Sequence, residues 1–207
     1  MIRRGGAPIL LGLILGTLVS CTTTPDRSKE SPAGPSCGPT LAARGASFEP
    51  LPDRSDGAGC QLLDAIRMTR SSVALDQPVQ LGCAMAVRLI QFEDEILQPA
   101  SRRHFGRAIA RVRHFGGYSC RSRAGDSRFL SEHALANAID LAGFDLADGT
   151  QISVDRHWND PGPRGAFLRD VARGACQLFQ VVLTPKTDAL HRNHLHLDLG
   201  RHKRCDA

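Results

Sequence analysis

Two short stretches of this 207-residue chain carry side chains that could bind a metal ion together. The first is LSEHALANAID, residues 130–140, in which His133 and Asp140 stand seven positions apart among small apolar residues. The end of this stretch is typical of a strand, where a carboxylate between Ile139 and Leu141 is unusual unless its face forms a site. We therefore expect His133 to lie in a turn just before a strand that carries Asp140.

The second stretch, HRNHLHLDL, covers residues 191–199 and holds three histidines. As a strand it would place His194, His196 and Asp198 on one face and the leucines on the other, because side chains alternate along a strand. The leucines would pack into the core, while two imidazoles and a carboxylate would share the opposite face. His191 precedes the strand, in a loop that could fold towards the same place.

Catalytic zinc sites commonly use three nitrogen or oxygen ligands and leave the fourth position to water. His133, Asp140 and one histidine of HLH supply such a set and predict a metal centre. The alternative is that each histidine is an ordinary core or surface residue, which is the commoner role of a single histidine. Asp198 is expected to support the site. Four further histidines are assigned to the ordinary role: His104, His114, His157 and His202.

The spacing of apolar residues predicts the elements that position this site. Intervals of three and four predict one helix from Ala84, ended or restarted at Pro99, and another over residues 167–179. Residues 37–82, rich in Gly, Pro and Asp, predict loops and short strands. The fold class expected is α+β, with a small antiparallel sheet flanked by helices. The predicted strands of that sheet are RAIARVRHF, NAIDLAGFDL paired through an Asp-Gly turn with ADGTQISV, QVVLTP and HLHLDL.

The N-terminus has the pattern of a bacterial lipoprotein signal, because two arginines precede a short apolar stretch that ends in LVSC. We expect residues 1–20 to be removed and Cys21 to be lipidated. The Ser-, Thr- and Pro-rich residues 21–36 would form a flexible tether to a single domain, residues 37–207. Thr, not Asp, follows the cysteine, which favours anchoring to the outer membrane on its periplasmic side. The alternative is an ordinary secretory signal with a chance cysteine.

Cysteine usage predicts the same compartment. With Cys21 assigned to lipid, six of the seven cysteines remain, and they can form three disulfides in the oxidising periplasm. No pair has a CxxC spacing, so a thiolate metal site is not expected. Six cysteines allow 15 connectivities, all of which stay open. The six are Cys37, Cys60, Cys83, Cys120, Cys176 and Cys205.

The charge of the chain argues against a nucleic-acid partner. The formal net charge is +5, and removing a signal with two arginines lowers it to +3. No block of five like charges occurs, and the aromatic content of 5% offers few side chains for stacking on bases. A mildly basic surface suits an anionic polymer such as the cell wall.

Three motifs resemble those of the LAS-type zinc peptidases, which include D-Ala-D-Ala carboxypeptidases and penicillin-insensitive murein endopeptidases. SEHALANAID resembles their Ser-x-His-(six residues)-Asp motif, HLH their His-x-His motif, and GGYSCRSR the Gly-Tyr-Arg-Ser stretch before the first motif. The chain from Cys83 onward also resembles the bacterial extensin-like C-terminal domain family, over most of residues 37–205. The likeness to the peptidases implies a LAS-metallopeptidase-like fold of hedgehog and DD-peptidase type.

The resemblance also implies roles for individual residues. His133, Asp140 and His196 match the zinc ligands of the peptidases. His194 matches the position that helps to activate water or to stabilise the oxyanion. Arg121 matches the arginine that neutralises charge developing on the scissile carbonyl.

The likeness has two departures. Many of these peptidases carry an acidic base three residues before the last ligand, where this chain has Asn193, and they often carry Gly where this chain has Ala136. The base is therefore open between His191 and His194, either of which could act as a neutral imidazole. Ser131 matches the motif serine, which supports a ligand or contacts substrate.

The resemblance implies a metallopeptidase that holds one zinc ion and cleaves peptide bonds of peptidoglycan, either as an endopeptidase or as a carboxypeptidase, and the N-terminal signal and the cysteines add that it is lipid-anchored and periplasmic. Its partners would be peptidoglycan peptides and, through Cys21, the membrane. The competing expectation is a cell-wall-binding or structural lipoprotein that keeps the fold without turnover. The missing acidic base favours the second, and the three histidines of HRNHLH favour the first.

Overall fold

The computed structural model of the protein describes residues 1–2, 35–56 and 58–207. The expected lipidation at Cys21, the expected signal peptide beyond its first two residues and most of the expected tether lie outside these described residues. In the part of the chain that is described, no helix has the length and apolar character needed to cross a membrane.

Every helix and strand of the described residues belongs to one unit of the chain, Ala33–Ala207. The α-helices are α1 (Gly38–Ala43), α2 (Cys83–Phe92), α3 (Gln98–Phe105), α4 (Val154–His157) and α5 (Pro163–Ala175). The strands are β1 (Ser47–Pro50), β2 (Arg54–Ser55), β3 (Gln61–Leu62), β4 (Ala65–Arg70), β5 (Ala74–Gly82), β6 (Ile109–Gly116), β7 (Ser122–Arg123), β8 (Asp126–Leu130), β9 (Ala138–Leu146), β10 (Gln151–Ser153), β11 (Val181–Leu183), β12 (Leu195–Asp198) and β13 (Arg204–Cys205).

A nine-stranded, mostly antiparallel sheet dominates the fold. Its order is β1-β4-β5-β6-β9-β12-β11-β13, with β10 paired to β9. Only the β5–β6 and β11–β13 pairs of this sheet are parallel among the described residues. Two further pairs, β2–β3 and β7–β8, form separate two-stranded sheets. The α+β class is confirmed.

The expected small size of the sheet is wrong, because residues 37–82 supply three of its strands, β1, β4 and β5. In β4, Ile66 and Met68 are fully buried while Arg67 between them is exposed, which is the alternation of a strand with one face on the core. The Gly, Pro and Asp content of this region concealed that short alternation.

The helical predictions are confirmed. The helix that begins near Ala84 is α2, and a π-helical turn (Glu93–Leu97) carries it into α3, with Pro99 in the first turn of α3. Proline is tolerated in the first turn because the N–H groups there have no partner within the helix. The second predicted helix is α5, which begins at Pro163 and ends at Ala175, four residues before the expected end.

The core lies between the helices and one face of the sheet. Phe167 of α5 meets Phe144 of β9 edge to face, with ring centroids 5.7 Å apart, and both are fully buried. Leu195 and Leu197 of β12 join the same apolar cluster, as the sequence predicts. Because side chains alternate, residues between these leucines face away from the helices, and that opposite face carries the candidate site.

Three disulfides connect distant parts of the domain, as the count of six cysteines predicts. Cys37–Cys83 joins the segment before α1 to the start of α2. Cys60–Cys120 joins the loop before β3 to the loop before β7. The third bridge, between Cys176 and Cys205, joins the end of α5 to the edge strand β13.

Candidate metal centre

Neighbouring strands bring Asp140 and His196 together. β9 and β12 are antiparallel neighbours, and Asp140 lies directly opposite His196 in their register. Directly opposite residues of an antiparallel pair project their side chains from the same face of the sheet. The His196 Nδ1 atom lies 2.9 Å from Asp140 Oδ1, which confirms the expected meeting of these two residues across the sheet.

His133 reaches the same point from a 3-10 turn, Glu132–Leu135, that ends just before β9. The Ser131 hydroxyl caps this turn by accepting a hydrogen bond from the His133 backbone N–H, at 3.3 Å. Ala136 ends the turn with φ of 54°, a left-handed conformation that glycine adopts more readily.

The three expected ligand atoms form a tight triangle. His133 Nε2 lies 3.2 Å from Asp140 Oδ1 and 3.2 Å from His196 Nδ1, and the third side is the 2.9 Å between His196 and Asp140. Zinc binds nitrogen and oxygen at about 2.0–2.1 Å in tetrahedral geometry, which places ligand atoms about 3.3–3.4 Å apart. The triangle therefore fits a tetrahedral zinc ion with little movement.

Hydrogen bonds on the outer side of each imidazole fix which nitrogen faces the triangle. His133 Nδ1 donates to the Gly117 carbonyl at 2.6 Å, and His196 Nε2 donates to Asp198 Oδ2 at 2.9 Å. Carbonyl and carboxylate oxygens only accept, so both outer nitrogens carry the proton in a neutral ring. The inner nitrogens then present lone pairs to each other and to the Asp140 carboxylate. Such an arrangement of acceptors calls for a cation at its centre.

Gly117 makes the first of these outer hydrogen bonds possible. A Cβ atom at this position would lie 2.4 Å from the Gln80 carbonyl oxygen and 2.6 Å from a Leu81 methyl group. Only glycine lets the backbone approach β5 this closely, and this approach sets the carbonyl against His133.

The electrostatics of the cluster also favour a positive charge. Burial opposes charge on His196, but hydrogen bonds and charges from Asp140 and Asp198 raise the pKa of its imidazole to about 9. Burial likewise opposes charge on Asp140, yet contacts with His133 and His196, which donate hydrogen bonds and carry positive charge when their rings are protonated, hold its pKa well below the usual range. A proton on His196 can serve as the cation, and a metal ion can replace it.

His194 lies beside the triangle without belonging to it. Its Nε2 atom is 3.5 Å from Asp140 Oδ1, and its Nδ1 atom is 2.9 Å from Asn193 Oδ1. Burial and the neighbouring histidines lower the pKa of His194, although the Asp140 carboxylate opposes this shift. His194 is therefore neutral at pH 7 and can accept a proton.

His191 packs against this group, with its ring centroid 5.2 Å from that of His194 and 6.0 Å from that of His196. Its Nδ1 atom donates to Asp188 Oδ1 at 2.8 Å, and the same oxygen accepts from the backbone N–H of Leu190 at 2.9 Å. Sequence reasoning missed Asp188. Its position as the N-cap of the 3-10 turn Ala189–His191 is the signal that could have revealed it.

Asp198 takes the supporting place expected for it. One oxygen accepts from His196 Nε2, and the other accepts from the Gly200 backbone N–H at 2.8 Å. Asp198 is only 4% exposed, so its two hydrogen bonds are shielded from water and hold His196 and Gly200 firmly.

The candidate metal centre opens into a cleft of about 660 Å³. The residues expected to act in the site line this cleft. His133 is the exception, because it is more deeply buried. Arg121, Ser131, Glu132, Arg201 and His202 also line the cleft. Sequence reasoning assigned no role to Glu132 and treated His202 as an ordinary residue.

Asp56, Cys60 and Cys120 also bring potential ligand atoms together among the described residues. The two cysteines are joined in a disulfide, so they offer no thiolate to a metal. The His133 cluster is thus the stronger candidate.

Comparison with known proteins places the chain in a family. Neither the curated proteins nor the solved structures contain a match to it. Residues 35–206 match the family model described as extensin-like protein C-terminus, which covers most of the chain. The chain therefore belongs to the extensin-like protein C-terminus family.

Proposed function

We propose that this protein is a zinc-dependent peptidase that cleaves peptide bonds of peptidoglycan. The observation that carries the proposal is the triangle of His133, Asp140 and His196, whose sides of 2.9–3.2 Å suit one zinc ion and whose lone pairs converge. Zinc bound by these residues would polarise a peptide carbonyl and lower the pKa of a water molecule to near 7.

His194 is the best-placed proton acceptor. It is neutral at pH 7, its Nε2 atom faces Asp140, and its Nδ1 atom is held by Asn193. Asn193 stands where many LAS peptidases carry an acidic base, so in this chain the imidazole takes over the task of that carboxylate. His191 assists from the same cleft, and Asp188 keeps the His191 ring oriented.

Arg121 is suited to stabilise the negative charge that develops on the scissile carbonyl oxygen. Its side chain lines the cleft and makes no hydrogen bond or ion pair with the described residues. Its backbone carbonyl accepts from Ser131 N–H at 3.1 Å, which ties it to the turn that bears His133. Ser131 therefore positions both a ligand and the arginine.

The substrate and the location follow from the resemblance to LAS peptidases and from the N-terminal sequence. The LVSC stretch supports lipidation at Cys21 and anchoring to the periplasmic side of an outer membrane. Three disulfides support an oxidising compartment. Mass spectrometry of the mature N-terminus should find an acylated cysteine, and an unmodified N-terminus at Thr22 or beyond would exclude the anchor.

A second candidate is a wall-binding lipoprotein without turnover, which the absence of an acid at Asn193 favours. Isolated sacculi separate the two functions. The zinc-loaded domain should release peptide-cleaved muropeptides, detected by mass, and both His194→Ala and His196→Ala should abolish this release. Binding to sacculi with no change in muropeptide masses would favour the second candidate.

A further inference from the structure

Acidic and basic side chains both line the cleft beside the metal centre. Each carboxylate of the lining is engaged: Asp140 and Asp198 contact His196, Asp188 holds His191, and Glu132 accepts from Asn137. Four arginines also line the cleft, and all four are exposed. They are Arg121, Arg123, Arg201 and Arg204.

Two of these arginines have unengaged side chains. Arg204 pairs with Asp206 at 2.6 Å, and Arg123 donates to the Leu130 carbonyl at 3.3 Å. Arg121 and Arg201 make no side-chain hydrogen bond or ion pair with the described residues, although each lines the cleft. Their guanidinium groups are available to a ligand.

The backbone fixes Arg201 close to the metal centre. Gly200, its neighbour, donates to Asp198 Oδ1 at 2.8 Å, and Asp198 in turn accepts from the ligand His196. A Cβ at Gly200 would lie 2.6 Å from Glu132 Oε1, so this backbone also lies against the turn that bears His133. The residue before Arg201 is thus connected through Asp198 to His196, one of the expected ligands.

We propose that Arg201 binds a carboxylate of the substrate, so that the cleft selects acidic peptides. The inference rests on the proposed function for the peptide nature of the ligand. A guanidinium offers parallel N–H donors that match a carboxylate, and such a pair is stronger than a neutral hydrogen bond. Arg121 extends from the segment of His133 and Arg201 from that of His196. Arg121 can thus stabilise the scissile carbonyl, while Arg201 binds a substrate carboxylate beside that carbonyl.

Lys203 provides a matched control. It is exposed and lies two residues from Arg201 in the same loop, but it does not line the cleft. Lys203→Gln removes the same charge as Arg201→Gln without touching the cleft. A general electrostatic attraction would respond equally to both variants.

The test is calorimetric binding of two probes to the zinc-loaded full chain in detergent. The probes are stem tetrapeptides purified from sacculi, and the same stems with their carboxylates converted to carboxamides. The unmodified stems should bind about tenfold more tightly, the effect of one charge-assisted hydrogen bond. Arg201→Gln should remove most of this preference, Arg201→Lys should retain part of it, and Lys203→Gln should leave it unchanged.

Three results would overturn the inference: an unchanged preference in Arg201→Gln, an equal loss in Lys203→Gln, or no measurable binding of the unmodified stems at millimolar concentration. Cleavage, followed by mass on the same samples, reports on the peptidase proposal separately. Stems that bind through Arg201 without being cleaved would uphold the inference, and the digestion of isolated sacculi would then decide on the peptidase. Cleavage without any preference for carboxylates would uphold the peptidase and reject the role of Arg201.

Discussion

Asp198 orients His196, because its Oδ2 atom accepts a hydrogen bond from His196 Nε2 at 2.9 Å. This hydrogen bond directs the Nδ1 atom of the ring towards Asp140. Carboxylates in this position orient a ligating imidazole and raise its basicity. The candidate site thus contains the three expected ligands and also the groups that orient them.

Replacing Asp198 by Asn should weaken zinc binding by about 10–100-fold, because the amide keeps the shape of the side chain and removes its charge. Competition with a zinc-binding dye measures the affinity. Asp170→Asn is the control, since Asp170 pairs with Arg103 on the helical side of the domain. Equal affinities for the Asp198 variant and the wild type would show that this carboxylate does not support a ligand.

Glu93, fully buried at the start of the π-helical turn, should make stability depend on pH. Burial raises its pKa from 4.5 to about 7, against hydrogen bonds from Ser71 and Ser72 that favour the carboxylate. The folded state therefore binds the proton more tightly than the unfolded state. The contribution of Glu93 to the free energy of unfolding should be greatest below pH 4.5 and should fall by about 3 kcal/mol as the pH rises from there to about 7.

Urea unfolding at a series of pH values tests this with Glu93→Gln, which mimics the protonated acid. The difference in stability between the wild type and the variant should shift by about the same 3 kcal/mol over that range. A constant difference between about pH 4 and about pH 8 would show that burial does not raise the pKa of Glu93.

The Cys60–Cys120 bridge should matter for catalysis as well as for stability, because Cys120 directly precedes Arg121. Replacing both cysteines by Ser should cost about 2–5 kcal/mol of stability and should reduce turnover while sparing zinc binding. Removal of Cys37–Cys83, which does not line the cleft, should cost comparable stability with turnover preserved. Equal turnover in the two variants would show that the bridge has no effect on Arg121.

Local patterns in the sequence account for much of the site. Alternation in HLHLDL assigns the leucines to the core and His196 and Asp198 to the other face, and both assignments agree with the structure. The pairing of Asp140 with His196 could be expected only if β9 and β12 were neighbours, which depends on the register of the whole sheet.

Other features depend on contacts between distant parts of the chain. The Gly117 carbonyl accepts a hydrogen bond from His133, 16 positions further along the chain, and no spacing rule connects the two residues. The partner of each cysteine is likewise set by how β5, α2 and β13 pack, which the count of cysteines cannot specify. Asp188 was missed because an acid three residues before a histidine is common in loops, and only its N-cap position could have singled it out.

A crystal structure of the zinc-loaded protein, with anomalous diffraction at the zinc edge, would show whether His133, Asp140 and His196 bind one zinc ion. We expect one strong anomalous peak at about 2.0–2.2 Å from His133 Nε2, Asp140 Oδ1 and His196 Nδ1, with His194 outside bonding distance. A zinc ion bound through other residues, or an empty triangle at saturating zinc, would show that these three residues do not form the zinc site.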